Sequence, residues 1–330
     1  MTTGIKAFRR IQLGKESTAG TDVPATAVWR GIGTIEENIE TVFPNEDIGI
    51  LGGVTRTYIP KTMATLQLEP IEATFEQLPY LFECGIEKNV TVSSDTPGYK
   101  YSYAFPIQTS DIHETTDLQT FTVEGGDNTA CTSFTFGIAT NIGLSGNAGE
   151  ALMMSGTIVG RQATTDTFTA SLAIPAVEDI LFSKGKIYIN NCAATSDIGT
   201  TQVSNTLLAA DLNISTGWVP VFTADGQIYF SFIKQVAPEV VLNVTFEHNS
   251  SAIAEIAAWR AGTARQIRLQ FDGSASKYAR FDMAGKWEKF DKIGEKDGND
   301  IVTGTFRARY ESTTTLFFEA VIGNALSALP

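Results

Sequence analysis

Only two histidines, His113 and His248, could serve this 330-residue chain as general bases, and histidine is the side chain that most often fills that role. Neither stands near a Ser or Cys in a recognisable nucleophile motif, and His248 falls just before a helix start, where a capping or surface role suits it better. The Gly143-Leu144-Ser145-Gly146 run fails the spacing of a nucleophile elbow and reads as a hairpin turn. Gly285-Lys286 is followed by Trp287 rather than Ser or Thr, so it is not a phosphate-cradling loop. Asp297, Asn299 and Asp300 offer oxygen ligands, but the glutamate that would close a calcium loop at its twelfth position is missing. The basic clusters Arg9-Arg10 and Arg307-Ala308-Arg309 are small and lack the interleaved aromatics of a single-strand groove. The residues point to no catalytic site, no cofactor site and no metal site, and the expectation is a protein that is not an enzyme.

The bulk composition narrows the class. Hydrophobic residues make up 43% and charged residues 18% of the chain, enough apolar material for substantial cores. Thr, Ser, β-branched and aromatic residues are spread along the whole length, which favours strands over helices. A formal net charge of −13 should repel nucleic acid and anionic membranes. Cys84, Cys131 and Cys192 are odd in number and unpaired in spacing, so buried free thiols and a reducing compartment are expected. No signal-like start and no run of roughly 18 apolar residues is present. The Asn-x-Ser/Thr sequences at Asn89, Asn213, Asn243 and Asn249 therefore read as strand and cap chemistry.

What organises the chain is a pattern that occurs twice, half a chain apart. MATLQLEPIEATFEQLPYLFECGIEK, from Met63, and VVLNVTFEHNSSAIAEIAAWRAGTARQIRLQF, from Val240, each open with alternating apolar residues. Leu66 and Leu68 mark the first strand; Leu242, Val244 and Phe246 mark the second. Each then runs through a polar cap into a short helix that stops at Gly85 or Gly262. Thr74 with Gln77 resembles a capping box, and Pro79 suits the first turn of a helix starting near Leu78. Asn249 or Ser250 caps the second helix, with Ile253, Ile256 and Ala257 expected to share its buried face. Strands are expected elsewhere, among them Cys131–Leu144, Gln227–Ile233, Tyr278–Met283 and Lys286–Ile293, with Lys296-Asp297-Gly298-Asn299 as a turn. The expected fold is mainly β (a β-rich α+β arrangement): two tandem β-sandwich or partial-barrel domains over residues 31–165 and 166–330, each with one flanking short helix.

Two segments fit poorly into a free-standing monomer. Residues 1–30 hold much turn chemistry and little periodicity, and read as an extended arm with Ile11 and Leu13 as contact residues for a neighbouring subunit. FPNEDIGILGG sets the apolar Phe43, Ile48, Ile50 and Leu51 in a glycine-rich setting with Gly52 and Gly53. We read it as a long projecting hairpin whose tip is buried against another molecule, the alternative being a loop folded over its own core.

Several stretches together resemble the tail tube (major tail) proteins of long-tailed bacteriophages. They are IQLGKESTAGTDVPAT, FEQLPYLFECGI, CTSFTFGIATNIGLSGNAGEALMMSGTIVGRQ, DLNISTGWVPVFTADGQ and TTTLFFEAVIGNAL. The resemblance covers most of the chain as a pattern rather than a short diagnostic motif. It implies a duplicated-domain subunit that polymerises with itself into stacked rings, trimeric with pseudo-sixfold symmetry or hexameric, forming the conduit for DNA ejection into the host. It further implies location in the virion tail after synthesis in the host cytoplasm, contacts with a tape measure protein and tail terminator or tip proteins, and DNA that passes through the lumen without sequence-specific binding. The alternative is a β-sandwich receptor-binding or decoration protein on a virion or cell surface.

Overall fold

A computed structural model describes residues 7–52, 55–88, 92–107 and 117–330. The fold is mainly β, with 50% of residues in strands, 8% helical and two α-helices. The first half contains β1 (Arg10–Lys15), β2 (Ala27–Trp29), β3 (Gly33–Ile39), β4 (Thr62–Glu72), α1 (Leu78–Gly85), β5 (Ser93–Asp95), β6 (Gly98–Ala104), β7 (Phe121–Gly126), β8 (Cys131–Asn147), β9 (Met153–Gly160) and β10 (Thr164–Asp166). The second contains β11 (Gly185–Asn191), β12 (Leu207–Ser215), β13 (Trp218–Val221), β14 (Phe232–Gln235), β15 (Glu239–Glu247), α2 (Ser250–Arg260), β16 (Arg265–Asp272), β17 (Tyr278–Phe290), β18 (Gly294–Lys296), β19 (Asn299–Ala308) and β20 (Phe318–Asn324).

The second half repeats the strand pairings of the first. In the first, β3 pairs β4, β4 pairs β9, β9 pairs the C-terminal part of β8, and the N-terminal part of β8 pairs β7 and β10, with β1 beyond β7. In the second, the seven strands β12, β15, β19, β17, β16, β20 and β11 make the same six pairings in the same chain order. Even the irregularities coincide. β8 bulges between Ala139 and Asn141 against β9, and β17 bulges between Trp287 and Lys289 against β19. A bulge adds one residue to one strand and bends it, so each long strand can serve two partners along its length. Leu66 lies opposite Ile158 as Leu242 lies opposite Phe306, which fixes the register of the two units on each other.

The units are joined edge to edge. The C-terminal part of β8 takes β12 on the side away from β9, with Leu144 opposite Leu212 and Asn141 opposite Ser215. A second link is the β5–β6 hairpin: it follows α1 in the chain, yet β6 pairs β20 in the second unit. One apolar core runs through both units, from Leu66, Leu68 and Phe82 to Leu242, Phe246 and Phe281. The alternation in β15 is complete: Val240, Leu242, Val244 and Phe246 are buried and their neighbours are not.

Local chemistry explains the ends of the elements. Asn249 accepts from the amides of Ser251 and Ala252, and Gly262 ends α2 at φ +63°, the left-handed position that suits glycine. α1 begins at Leu78 with Pro79 in its first turn, while the Thr74 hydroxyl accepts from the Gln77 amide at 3.2 Å. Asp297 and Gly298 both have positive φ in the β18–β19 turn, the requirement of the tightest hairpins.

Four expectations are corrected. Tyr278–Met283 and Lys286–Ile293 are not separate strands, because β17 runs unbroken through Ala284-Gly285. Gly285 is a site of close backbone approach to the Arg307 carbonyl rather than a turn, as Gly137 is to the Phe121 carbonyl in β8. Of Gln227–Ile233 only its last residues lie in β14, whose partner β13 carries Pro220 and was hidden by it. Ile253 and Ala257 are exposed; α2 buries Ala252, Glu255 and Ala258 instead. The described part of residues 1–30 is no loose arm: β1 is an interior strand between β2 and β7.

Candidate assembly surfaces

The interior offers little room for a ligand. An apolar cavity lined by Ile11, Leu66, Tyr80 and Cys84, among others, has a volume of about 10 Å³, the space of one water molecule. A depression of about 550 Å³ around Phe8, Arg10 and Ile32 is open to solvent. Among the described residues no group of three or more His, Cys, Asp or Glu is placed to hold a metal ion; His113 lies outside them. Burial pushes the Cys84 thiol up to about 12 and those of Cys131 and Cys192 to about 11, so all three are protonated and poorly nucleophilic at neutral pH.

Two buried carboxylates tie the first residues of the chain to the sheet. Glu16 accepts from the amides of Gly20 (2.6 Å) and Phe136 (2.8 Å) and from the hydroxyls of Thr120 (2.7 Å) and Thr122 (3.2 Å). Glu124 accepts from the Ala25 amide and from both the amide and hydroxyl of Thr169. A buried carboxylate is tolerated where hydrogen bonds replace its water. These bonds hold the turn-rich segment in place, and Ile11 and Leu13 are 4% and 3% exposed. They are core residues, unavailable for contact with a neighbour. Sequence reasoning passed over Glu16 and Glu124; only Glu124 carries a signal, as the one charged residue of β7, whereas Glu16 follows Lys15 just past the end of β1.

The β12–β15 connection forms the β13–β14 hairpin, and it lies against the first unit. Trp218, Phe230 and Ile233 are buried with Leu118, Phe136, Ile138 and Val159. The Trp218 indole N–H donates to the Gly85 carbonyl at 2.9 Å. Arg161, just after β9, fastens the outer end. Its guanidinium stacks over Phe136, and Nε and Nη2 donate to the carbonyls of Phe230 (3.1 Å) and Ser231 (2.7 Å). Such a cation over an aromatic face gains energy from the ring quadrupole.

The β3–β4 connection occupies the same place in the first unit and has a different fate. Its stem closes through a Val42–Tyr58 bridge. Beyond it Phe43 is 63% exposed, Ile50 58% and Leu51 fully exposed, with Ile48 and Gly52 also on the surface. Gly53 lies outside the described residues. An ion pair between Glu46 and Arg56 is the main polar link within the loop. The apolar side chains named from sequence thus cluster at one exposed tip, apart from Ile11 and Leu13. An apolar patch of this kind on a polar chain marks an interaction surface more often than chance would.

The free sheet edges are also localised. Among the described residues no strand pairs with the outer side of β3, nor with β17 from Trp287 onward on the side away from β19. β3 exposes Glu36 and Glu37. No protein family matches the chain, and no curated protein is similar enough to it to count as a match.

Proposed function

We propose that this chain is a structural subunit that polymerises with itself, and that its assembly is the tail tube of a long-tailed bacteriophage. The supporting observation is the duplication of an open β-unit within one chain, with one connecting hairpin buried and its counterpart exposed. A unit that joins edge to edge with a second copy of itself leaves one edge of each kind over at the two ends. Head-to-tail contacts of this type give rings where the rotation closes and open helical filaments where it does not. Three duplicated chains would supply six units to a ring, and stacked rings would enclose a channel through which DNA leaves the virion.

The charge suits that role. Lys and Arg contacts to phosphate create affinity, and a net charge of −13 disfavours it, so DNA would slide rather than bind. The mechanism is geometric and electrostatic, without turnover, catalysis or cofactor. Partners would be other copies, with tape measure and terminator or tip proteins at the tube's ends, and the protein would reside in the virion tail. Electron microscopy of the purified protein tests this: rings or tubes with an axial hole are expected. A protein that stays a compact monomer under every assembly condition, and is missing from virions, refutes it.

A further inference from the structure

The contact between the two units of one chain is a template for the contact between chains. We propose that β3 of one copy adds to the free side of β17 in the next, and that the 40–61 hairpin of the first then docks beside Arg309 of the second. The partner is a second copy of this chain, bound head to tail. The register deepens the self-assembly reading but does not require the assembly to be a tube.

Within the chain, β12 of the second unit joins the side of β8 away from β9. The equivalent of β12 in the first unit is β3, and the equivalent of β8 in the second is β17. Gly285 pairs both Arg265 and Ala308, so β16 and β19 flank β17 on opposite sides. Among the described residues, the side of β17 beyond β16 is therefore the unpaired equivalent of the place that β12 fills on β8. Carrying the register across sets Asn38 opposite Lys289 (as Ser215 faces Asn141), Glu37 opposite Phe290 (as Ile214 faces Ile142) and Ile35 opposite Lys292 (as Leu212 faces Leu144).

The bulges carry the comparison further. In β8 the Thr140 carbonyl receives the Thr216 amide from the incoming unit at 3.1 Å. Its counterpart in β17, the Glu288 carbonyl, receives a side chain from its own unit, the Trp259 indole N–H at 3.0 Å. A carbonyl has a second lone pair for the Ile39 amide of the next copy.

The hairpins match as well. Val219 pairs Lys234 four residues past Ser215, and Val42 bridges Tyr58 four residues past Asn38. Arg161, which fastens the docked hairpin, corresponds to Arg309, whose side chain is 53% exposed and reaches Glu311 at 3.6 Å. The surrounding surface has changed in kind. Met63, Ile138 and Val159 beneath the docked hairpin become Glu239, Lys286 and Arg307 in the second unit. The incoming segment has changed to suit: residues 33–61 carry five carboxylates against two cations. In the inferred register Lys289 lies diagonal to Glu36 and Lys292 diagonal to Glu37, positions at which opposite charges attract across a ladder. Glu36 opposite Asp291 is a like-charge pair, and Pro238 replaces Thr62, whose amide donates to Ile228 in the chain, so that bond has no equivalent.

Disulfide trapping tests the register. The double variant Asn38→Cys/Lys289→Cys, in a Cys192→Ser background, should give covalent multimers on oxidation, running as a ladder that ends at the closed ring. Asn38→Cys or Lys289→Cys alone, and the slipped pair Asn38→Cys/Phe290→Cys, should give at least tenfold less. A linked dimer from Asn38→Cys alone would show a two-fold contact and overturn the proposal, as would assembled protein that never links 38 to 289. Replacing Glu36, Glu37 and Glu40 by Lys should abolish assembly while leaving the circular dichroism spectrum unchanged, and replacing Lys286, Lys289 and Lys292 by Glu in the partner should restore it. Failure of that rescue with both variants folded also counts against the pairing. Trapped head-to-tail multimers without tubes would keep the pairing and remove the tube; tubes without the 38–289 link would do the reverse.

Discussion

α1 and α2 occupy the same place in their two units, yet one is wholly interior and the other lies on the surface. Every residue of α1 from Leu78 to Gly85 is buried, whereas α2 buries only Ala252, Glu255 and Ala258. α1 is covered on one side by its own sheet and on the other by the second unit. Phe82 meets Tyr103 of β6 at 5.5 Å between ring centroids and Phe281 of β17 at 6.1 Å, and the Trp218 indole reaches the last turn at Gly85. α2 has only its own unit beneath it. The difference teaches that burial of a helix here depends on whether the other unit lies over it.

Deep truncation in α1 should show this contrast most strongly. Phe82→Ala should cost about 3–5 kcal/mol of stability by denaturant unfolding, the range for removing a buried aromatic ring, while Ile253→Ala, half exposed on α2, should change it by less than about 0.5 kcal/mol. Equal effects at the two positions would break the comparison.

The charged residue that α2 turns inward comes next. The Glu255 carboxylate accepts from Arg265 Nε at 3.0 Å and from the Trp287 indole N–H at 2.9 Å. Glu255→Ala should cost about 3 kcal/mol, since it leaves a half-buried guanidinium and a buried indole without their acceptor. Glu255→Gln should recover part of that loss. A neutral outcome would mean that α2 is held by its alanines alone.

The corresponding acid in α1 behaves differently. Burial raises the Glu83 carboxyl from 4.5 to about 7, against the pull of Lys15 at 3.5 Å. Its folded value lies above its unfolded one, so the folded state holds the proton more tightly. The contribution of this group to stability is then fully present below about pH 4.5, falls as pH rises towards 7, and is lost above that. Glu83→Gln should flatten this slope and gain on the order of 1 kcal/mol at pH 8. Melting temperatures between pH 4.5 and 8 would measure it, and an unchanged slope would locate the titration elsewhere.

The smallest expected effect sharpens the same comparison at the helix starts. Asn249→Ala removes an acceptor of two amides and should cost about 1 kcal/mol. Hydrogen exchange should place the loss in the first turn of α2; exchange spread evenly over the second unit would contradict a local cap.

How much of this was legible depends on the range of the interactions involved. The cap at Asn249, the stop at Gly262, the entry of Pro79 and the Asp297-Gly298 turn are decided within a few residues and could be read from them. The alternation of Val240 to Phe246 announced a half-buried strand for the same reason. The assignment of Ile11 and Leu13 to a free arm failed because Glu16 bonds Thr120 and Phe136 and Glu124 bonds Ala25, each about a hundred residues away and beyond any local pattern. Of the candidate contact residues, the exposure of Phe43, Ile48, Ile50 and Leu51 was legible because apolar side chains in a glycine-rich turn have no local core to enter. The docking of the equivalent 216–238 hairpin was not recognisable, since Trp218 and Ile233 look no different in sequence from exposed residues of a loop.

The chain's order of residues thus determined its β-rich character, its two helices with their caps and the presence of a repeated motif, all of which rest on short-range periodicity and backbone preference. The tertiary structure alone decided which edges meet: that β6 crosses to β20, that β8 and β17 each bend through a bulge to serve two partners, and that β3 and the end of β17 are left over. Edge pairing is non-local and set by the packing of side chains on both faces, so it exists only once the whole sheet has formed.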